Sequence, residues 1–182
     1  MYRLSLCFGI TIDKISMAKF STKSSVQQDI LVMLAAEHRS IEQRIDALET
    51  ANHAVEAERR FRELYRILFL HHYGETLVFY PSMREYEQTA VYLETVEEEH
   101  STTMVLLEQM RQLSPFNPAF QARLDELKEL IMGHIEEEEN EIFAAVRTCM
   151  NEQELRQLAQ EFKSIQIKTA PKIEARIKDL NP

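Results

Sequence analysis

The chain has 182 residues and a formal net charge of −9 at pH 7, with 28% of its residues charged. That length suits one well-buried domain with short extensions. An acidic chain with no dense Lys/Arg cluster lacks the basic stripe that displaces phosphate counterions, which argues against a nucleic-acid partner. No apolar run approaches the ~20 residues needed to span a bilayer, which argues against a membrane one.

Three glycines and five prolines leave little turn chemistry, whereas Leu, Glu, Gln, Met and Ala all favour helix. Strand-like alternation is not sustained past the first dozen residues, so the expected fold class is all-α. Residues 1–25 stand apart, with Arg3, Lys14, Lys19 and Lys23 against the single acid Asp13. They read as a disordered N-terminal extension, with a targeting peptide or a start at Met17 as alternatives. Cys7 and Cys149 show no metal or disulfide spacing. Two free thiols point to a reducing, cytoplasmic setting.

Helical spacing begins near Val26. The first segment carries Leu34, His38, Ile41, Ile45 and Leu48 on one face, up to the break at Thr50–Asn52. The second carries Leu64, Leu68, His71, Glu75 and Val78, and Pro81 is expected to end or kink it for want of an N–H. The third carries Leu93, Val96, His100, Thr103, Leu107 and Met110. Asn117 before Pro118 then reads as an N-cap with proline in the first helical position. The fourth carries Leu127, Ile131, His134, Glu138, Ile142 and Ala145. A fifth helix is expected from Asn151, with Glu154 completing a capping box. Leu155, Leu158 and Phe162 would pack it on the bundle until Pro171 breaks it. The organisation expected is thus an extension (1–25), an antiparallel up-and-down four-helix bundle (26–150), and an additional C-terminal helix and tail (151–182).

In such a bundle, residues on neighbouring antiparallel helices lie at one level when equidistant from the turn between them. The midpoint of His38 and His71 falls beside the Thr50–Asn52 break, that of His71 and His100 just past Pro81, and that of His100 and His134 on Asn117. All four histidines should therefore share one layer. A weak repeat runs through them. Glu37-His38 is followed by His71-x-x-x-Glu75, and Glu99-His100 by His134-x-x-x-Glu138.

A histidine and a glutamate four apart share a helical face and can address one ion. Imidazole suits iron, zinc and copper, and carboxylate suits harder ions and can bridge two of them. Four histidines and two glutamates exceed what one tetrahedral zinc needs, so a pair of irons fits better. Taken singly, a histidine on an apolar face is usually a hydrogen-bonded core residue. Six such groups in one layer without an ion would leave several partners unmade, each costing roughly 1–3 kcal/mol. His53 is expected to be exposed. His72, about 100° round the helix from His71, is placed on the flank, with Glu97 as another outside candidate ligand. Tyr65, Phe69, Tyr73, Phe79 and Phe143 are expected to pack the core or line the site. Most of the acids in Glu97–Glu99 and Glu136–Glu139 are expected to be solvated.

With those motifs in view, the chain resembles the haemerythrin-like (HHE cation-binding) family. The resemblance rests on His38, "HHYGETLVFYP", "EEEH" and "HIEEEENEIF", and covers roughly residues 28–148. It implies a non-haem di-iron centre in an antiparallel bundle. Glu75 and Glu138 would bridge the irons, with His38 and His71 on one and His100 and His134 on the other. Two departures stand out. Oxygen-carrying members bring a further histidine one turn from His100, where this chain has Val96 and Met104. A proline common after the second motif is Ala144 here. The ion at His100 and His134 should then have an additional open position, which argues against simple oxygen carriage.

The function expected is a di-iron protein that binds or senses oxygen, iron, nitric oxide or peroxide, leaning away from an enzyme. One alternative is a di-iron enzyme that consumes peroxide or nitric oxide, or supplies iron for iron–sulfur repair. The other is a structural bundle whose fifth helix binds a protein partner.

Overall fold

The structure is a computed structural model, and it describes residues 28–178. The expected extension at 1–25, and Cys7 with it, lies outside the described residues. All the regular structure among the described residues is helical. Helix α1 is Ile30–Glu49, and Asp29 caps it by accepting from the Val32 N–H. Helix α2 runs as Ala54–Gly74, widens into a π turn over Glu75–Phe79, and finishes as Tyr80–Met83. The short α3 (Glu87–Ala90) leads into α4 (Leu93–Met110). Helix α5 repeats the design of α2, with Pro118–Glu137, a π turn over Glu138–Ile142, then Phe143–Cys149. Helix α6 is Glu152–Lys178.

Helices α1, α2, α4 and α5 form the antiparallel four-helix bundle, with α1 against α2 and α4 against α5, and α6 lies across α1 and α2. The caps foreseen from sequence are present. Asn117 accepts from Ala119 N–H, and Asn151 accepts from Gln153 and Glu154 while its own N–H donates to the Glu154 carboxylate. The exposed His53 caps α2 by accepting from the Glu56 N–H.

Both proline expectations need correction. Pro81 does not stop α2, which continues to Met83. The π turn just before it has already moved the ladder to i→i+5 bonding, with Tyr80 N–H donating to Glu75 O. Proline is not the cause of that turn, because α5 has the same π turn with no proline near it. Pro171 does not break α6, which runs seven residues further to Lys178. One lost backbone bond is offset by burying Ile173 and Ile177 in the core beyond it.

The apolar interior falls into two clusters. One, around Ile41, Leu64, Leu68, Leu107, Phe120 and Leu127, lies towards the α1–α2 and α4–α5 turns. The other, around Leu34, Phe79, Val96, Ile142 and Phe162, lies towards the opposite end. Between them, along each bundle helix, fall the histidines.

Helix α6 is held at both ends of its contact. At one end its Phe162 ring occupies the space beside Gly74, where a Cβ would come within 2.6 Å of it. At the other end the Arg176 Nε donates to the Tyr65 hydroxyl (2.7 Å), and Tyr65 donates to Glu108 (2.6 Å). Arg176 also donates to Glu108 and lies over the Phe69 ring. Burial, and then the Glu108 charge, push the Tyr65 hydroxyl up to about 12.

Two outcomes follow from this docking. Gly74→Ala gains ~1 kcal/mol of helix propensity but overpacks Phe162, which costs ~1–3 kcal/mol. Its melting temperature should therefore fall, and Phe162→Leu in the same chain should reverse the sign. Tyr65 has a folded pKa above its unfolded value, so its contribution is whole below pH 10 and is lost as the pH rises towards about 12. Denaturant titrations across that window should show a loss in the wild type that Tyr65→Phe lacks.

Candidate metal centre

Each bundle helix delivers at least one histidine to the middle layer, and α2 and α5 add a glutamate one turn on. His38, His71, Glu75, His100, His134 and Glu138 are all buried. Glu75 lies between two rings, with His71 Nε2 at 3.2 Å from Oε1 and His100 Nε2 at 3.4 Å from Oε2. Glu138 Oε2 is 3.1 Å from His38 Nε2 and 3.9 Å from His134 Nε2. The His100 and His134 Nε2 atoms are 3.3 Å apart. Four imidazole nitrogens thus converge on two carboxylates, and the structure brings together all six residues singled out from the sequence.

In both motifs the glutamate opens the π turn. Its carbonyl accepts from the residue five on, Tyr80 after Glu75 and Phe143 after Glu138. Such a turn widens the helix locally, and π turns occur mostly as single turns at functional sites. Here it also rotates the following residues. Tyr80 lies ~140° from Glu75 on an ideal α-helix, yet its hydroxyl reaches the centre and lies in hydrogen-bond contact with His100 Nε2 at 2.8 Å. Helical periodicity alone did not mark this residue, because the signal would have been the π turn itself.

Behind the rings stand three further carboxylates. His71 Nδ1–H donates to Glu37 (3.0 Å), His134 Nδ1–H to Glu99 (2.8 Å) and His38 Nδ1–H to Glu139 (2.8 Å). A carboxylate at Nδ1 fixes the tautomer and aims the Nε2 lone pair at the centre. Gln166 of α6 donates to both oxygens of Glu37, so the fifth helix takes part in holding His71. These acids correct the view of the acidic runs. Glu97, Glu98 and Glu136 are exposed as expected, but Glu99 and Glu139 face histidines. The repeated Glu-His doublet was the visible trace of Glu37 and Glu99, and Glu139 had none. In each half, the acid preceding one histidine holds the histidine of the next helix.

His72 also departs from expectation. It is not on the flank but 4% exposed, stacked on His100 with centroids 3.7 Å apart and planes 15° from parallel. Helix α2 has neighbours on two sides, so His71 faces α1 while His72 faces α4. Glu97, by contrast, is exposed and paired with Arg84. Of the aromatic residues, Phe143 stacks on His38, Phe79 and Tyr65 are buried, and Tyr73 is partly exposed.

The electrostatics are those of a layer built to be neutralised. Burial lowers the pKa of His71, His72 and His100 well below the ordinary value, so these rings stay neutral, which is the ligating form. Burial, and then the charge of Glu138, raise Glu75 well above the carboxylate range. Burial also pushes Glu138 up, but His38 and His134 outweigh it and hold its carboxyl low. In His38 burial is outweighed by Glu138 and Glu139, and its pKa rises. Among the described residues, both oxygens of Glu75 and of Glu138, and His38 Nε2, have no hydrogen bond of good geometry. Buried carboxylates left in that state are costly unless a cation meets them. The donor set fits a cation. One atom from each of His38, His71, Glu75 and Glu138 can converge on a single point, as can one from each of His72, Glu75 and His100.

If the outer carboxylates aim the rings, Glu37→Gln and Glu99→Gln should each weaken cation binding ~10–100-fold with folding intact. Glu97→Gln should leave it unchanged. Titration calorimetry with metal-free protein is the measurement.

Comparison with known proteins agrees with the site. The family described as Hemerythrin HHE cation binding domain matches residues 29–146. A curated relative, a DNA nickase of Nostoc sp. (strain PCC 7120 / SAG 25.82 / UTEX 2576), is 29% identical over 149 residues. That match takes in 81% of this chain but 42% of the relative, so the chain spans less than half the relative's length. The fold matches the crystal structure of a hemerythrin HHE cation binding domain-containing protein, the Rv2633c homologue from Mycobacterium kansasii. The TM-score is 0.73 at 17% identity, over 84% of this chain and 93% of the other.

Proposed function

Because the chain belongs to the hemerythrin HHE cation-binding family, we propose that its cation centre holds two non-haem irons and serves to bind or sense a small molecule such as oxygen, nitric oxide or peroxide, or iron itself. In this reading Glu75 and Glu138 would be shared between the ions, His38 and His71 would hold one, and His100 and His134 would hold the other. The observation that carries it is the convergence of four Nε2 atoms on two buried carboxylates that have no other adequate partner. Six inward ligands of mixed imidazole and carboxylate character suit two iron ions better than one zinc.

Iron held here would supply reversible ligand binding and one-electron chemistry. The chain's own contribution is to orient and to shield. Glu37, Glu99 and Glu139 fix three ring orientations. The apolar clusters above and below exclude water. Burial, and then the charges of Glu75 and Glu138, raise the Tyr80 hydroxyl far above its usual range, so it keeps its proton and remains a donor at the edge of the site. A recess of about 270 Å³, lined by His72, Thr76, His100 and Met104 among others, reaches the His100 side from solvent. That side is where the expected further histidine is missing. Val96 there is fully buried and apolar.

Two other readings are weaker. Catalytic turnover of peroxide or nitric oxide, or iron supply to damaged clusters, uses the same centre, and no further catalytic group distinguishes it. The helical interaction module would use α6, but the apolar face of that helix, with Leu155, Phe162 and Ile173, is occupied by its own bundle. Nicking of DNA belongs to the name of the relative. An acidic chain that covers less than half of that protein supplies no reason to carry it over. No helix among the described residues is long and apolar enough to cross a membrane, and the free Cys149 fits a reducing compartment such as the cytoplasm.

Protein purified without chelator should contain about two irons per chain, with charge-transfer absorption that responds to azide or oxygen. Chelation should lower its melting temperature. His71→Ala and His134→Ala should each lose metal. Metal-free protein whose stability ignores both substitutions would overturn the reading. Peroxide and nitric oxide consumption followed over many cycles separates binding from turnover, since an enzyme must exceed free iron.

A further inference from the structure

The buried polar groups of the middle layer sort into two kinds. His38, His71 and His134 each have one nitrogen satisfied by an outer carboxylate and the other turned inwards. His72 has neither. Both of its ring nitrogens are buried and without a hydrogen-bond partner among the described residues. An imidazole always carries an N–H or a lone pair at each nitrogen, and two unmet positions are unusual in a well-packed interior. Packing alone would be better served by phenylalanine or leucine at this place.

Its position supplies the reason. His72 is three residues before Glu75, so the two share a face of α2. A nitrogen of His72, a carboxylate oxygen of Glu75 and a nitrogen of His100 lie within 4.8 Å of one another. The stack on His100 holds the two rings side by side, with their edges available to the same point, and His134 crosses His72 edge-on at 6.2 Å between centroids. The His100 side is also the one that lacks support. His100 Nδ1 has no partner, and Thr76, which follows Glu75 as Glu139 follows Glu138, stands where an acid would complete the symmetry.

We propose that His72 is a fifth imidazole ligand of the centre, binding the ion held by His100 and Glu75 from the second helix, where the family pattern brings a histidine from the third. The proposal rests on the ion-binding reading above. It makes the two ion positions unequal in kind. One has two imidazoles, each braced by a carboxylate. The other has three, of which only His134 is braced, and it lies beside the recess.

The test is anaerobic titration of metal-free full-length protein with iron(II), counting ions bound and their affinities, with melting curves to confirm folding. His72→Phe keeps the stacked ring and removes both nitrogens, and His72→Gln keeps a polar group. Either should lose one ion, or weaken it on the order of 100-fold, while the second ion binds as before. Electronic spectra of the loaded protein should change accordingly. In His72→Gly, added imidazole should restore the lost ion through the recess. A His72→Phe protein that binds both ions with wild-type affinity and spectrum overturns the role of His72 alone. Wild-type protein that binds no ion overturns the centre itself and this ligand with it.

Discussion

Two carboxylates, each with its charged end in the middle of an apolar bundle, set the terms for everything around them. Isolated burial of such groups is strongly unfavourable, and here they lie in one layer, so each raises the difficulty of ionising the other. Glu75 and Glu138 divide the problem unequally. Burial and its neighbour's charge drive Glu75 towards the neutral acid, whereas His38 and His134 keep Glu138 ionised. A cation entering the layer would ease both demands at once, by meeting the carboxylate oxygens that have no hydrogen-bond partner among the described residues.

The helices are shaped to this requirement. A regular α-helix would carry its glutamate past the layer with even spacing. The π turn that begins at each glutamate inserts one extra residue into the hydrogen-bond ladder, and in α2 it brings Tyr80 round to the centre. The same local change in both halves, one with a proline and one without, ties the distortion to the ligand position. Outside the layer, each brace comes from a different part of the chain. Glu37 precedes His38 but serves His71, Glu99 precedes His100 but serves His134, and Glu139 comes from α5 to serve His38. The bundle can present these rings only when all four helices are in register, so ligand geometry and helix packing are one property.

This explains what was legible in the amino-acid order. The heptad-like steps of apolar residues marked four helices and a fifth. The equal distances of the histidines from their turns placed them at one level, because both follow from the fixed rise of a helix. The six inward groups were legible for the same reason. Tyr80 was hidden because it is in register only across a π turn, and His72 because a ring 100° from His71 meets a second neighbour that a single-helix projection does not show. Glu99 and Glu139 were hidden in acidic runs that also hold the exposed Glu97, Glu98 and Glu136, and Glu37 was hidden because a lone acid beside a histidine gives no sign of which ring it faces. The path of α6 past Pro171 depended on tertiary burial of Ile173 and Ile177, which outweighs a local signal.

The division of the apolar interior into two clusters has a consequence for how the chain holds its shape. The two apolar clusters lie on either side of the polar layer of histidines and glutamates. An ion bound by His38 and His71, or by His100 and His134, joins segments 33 or 34 residues apart in the chain. Such an ion would favour the folded chain by binding it and not the unfolded one, by an amount set by its free concentration. With the one described cysteine unpaired, a cation held there would tie distant segments of the bundle where no disulfide among the described residues does, and the stability of the fold would then follow the supply of that cation.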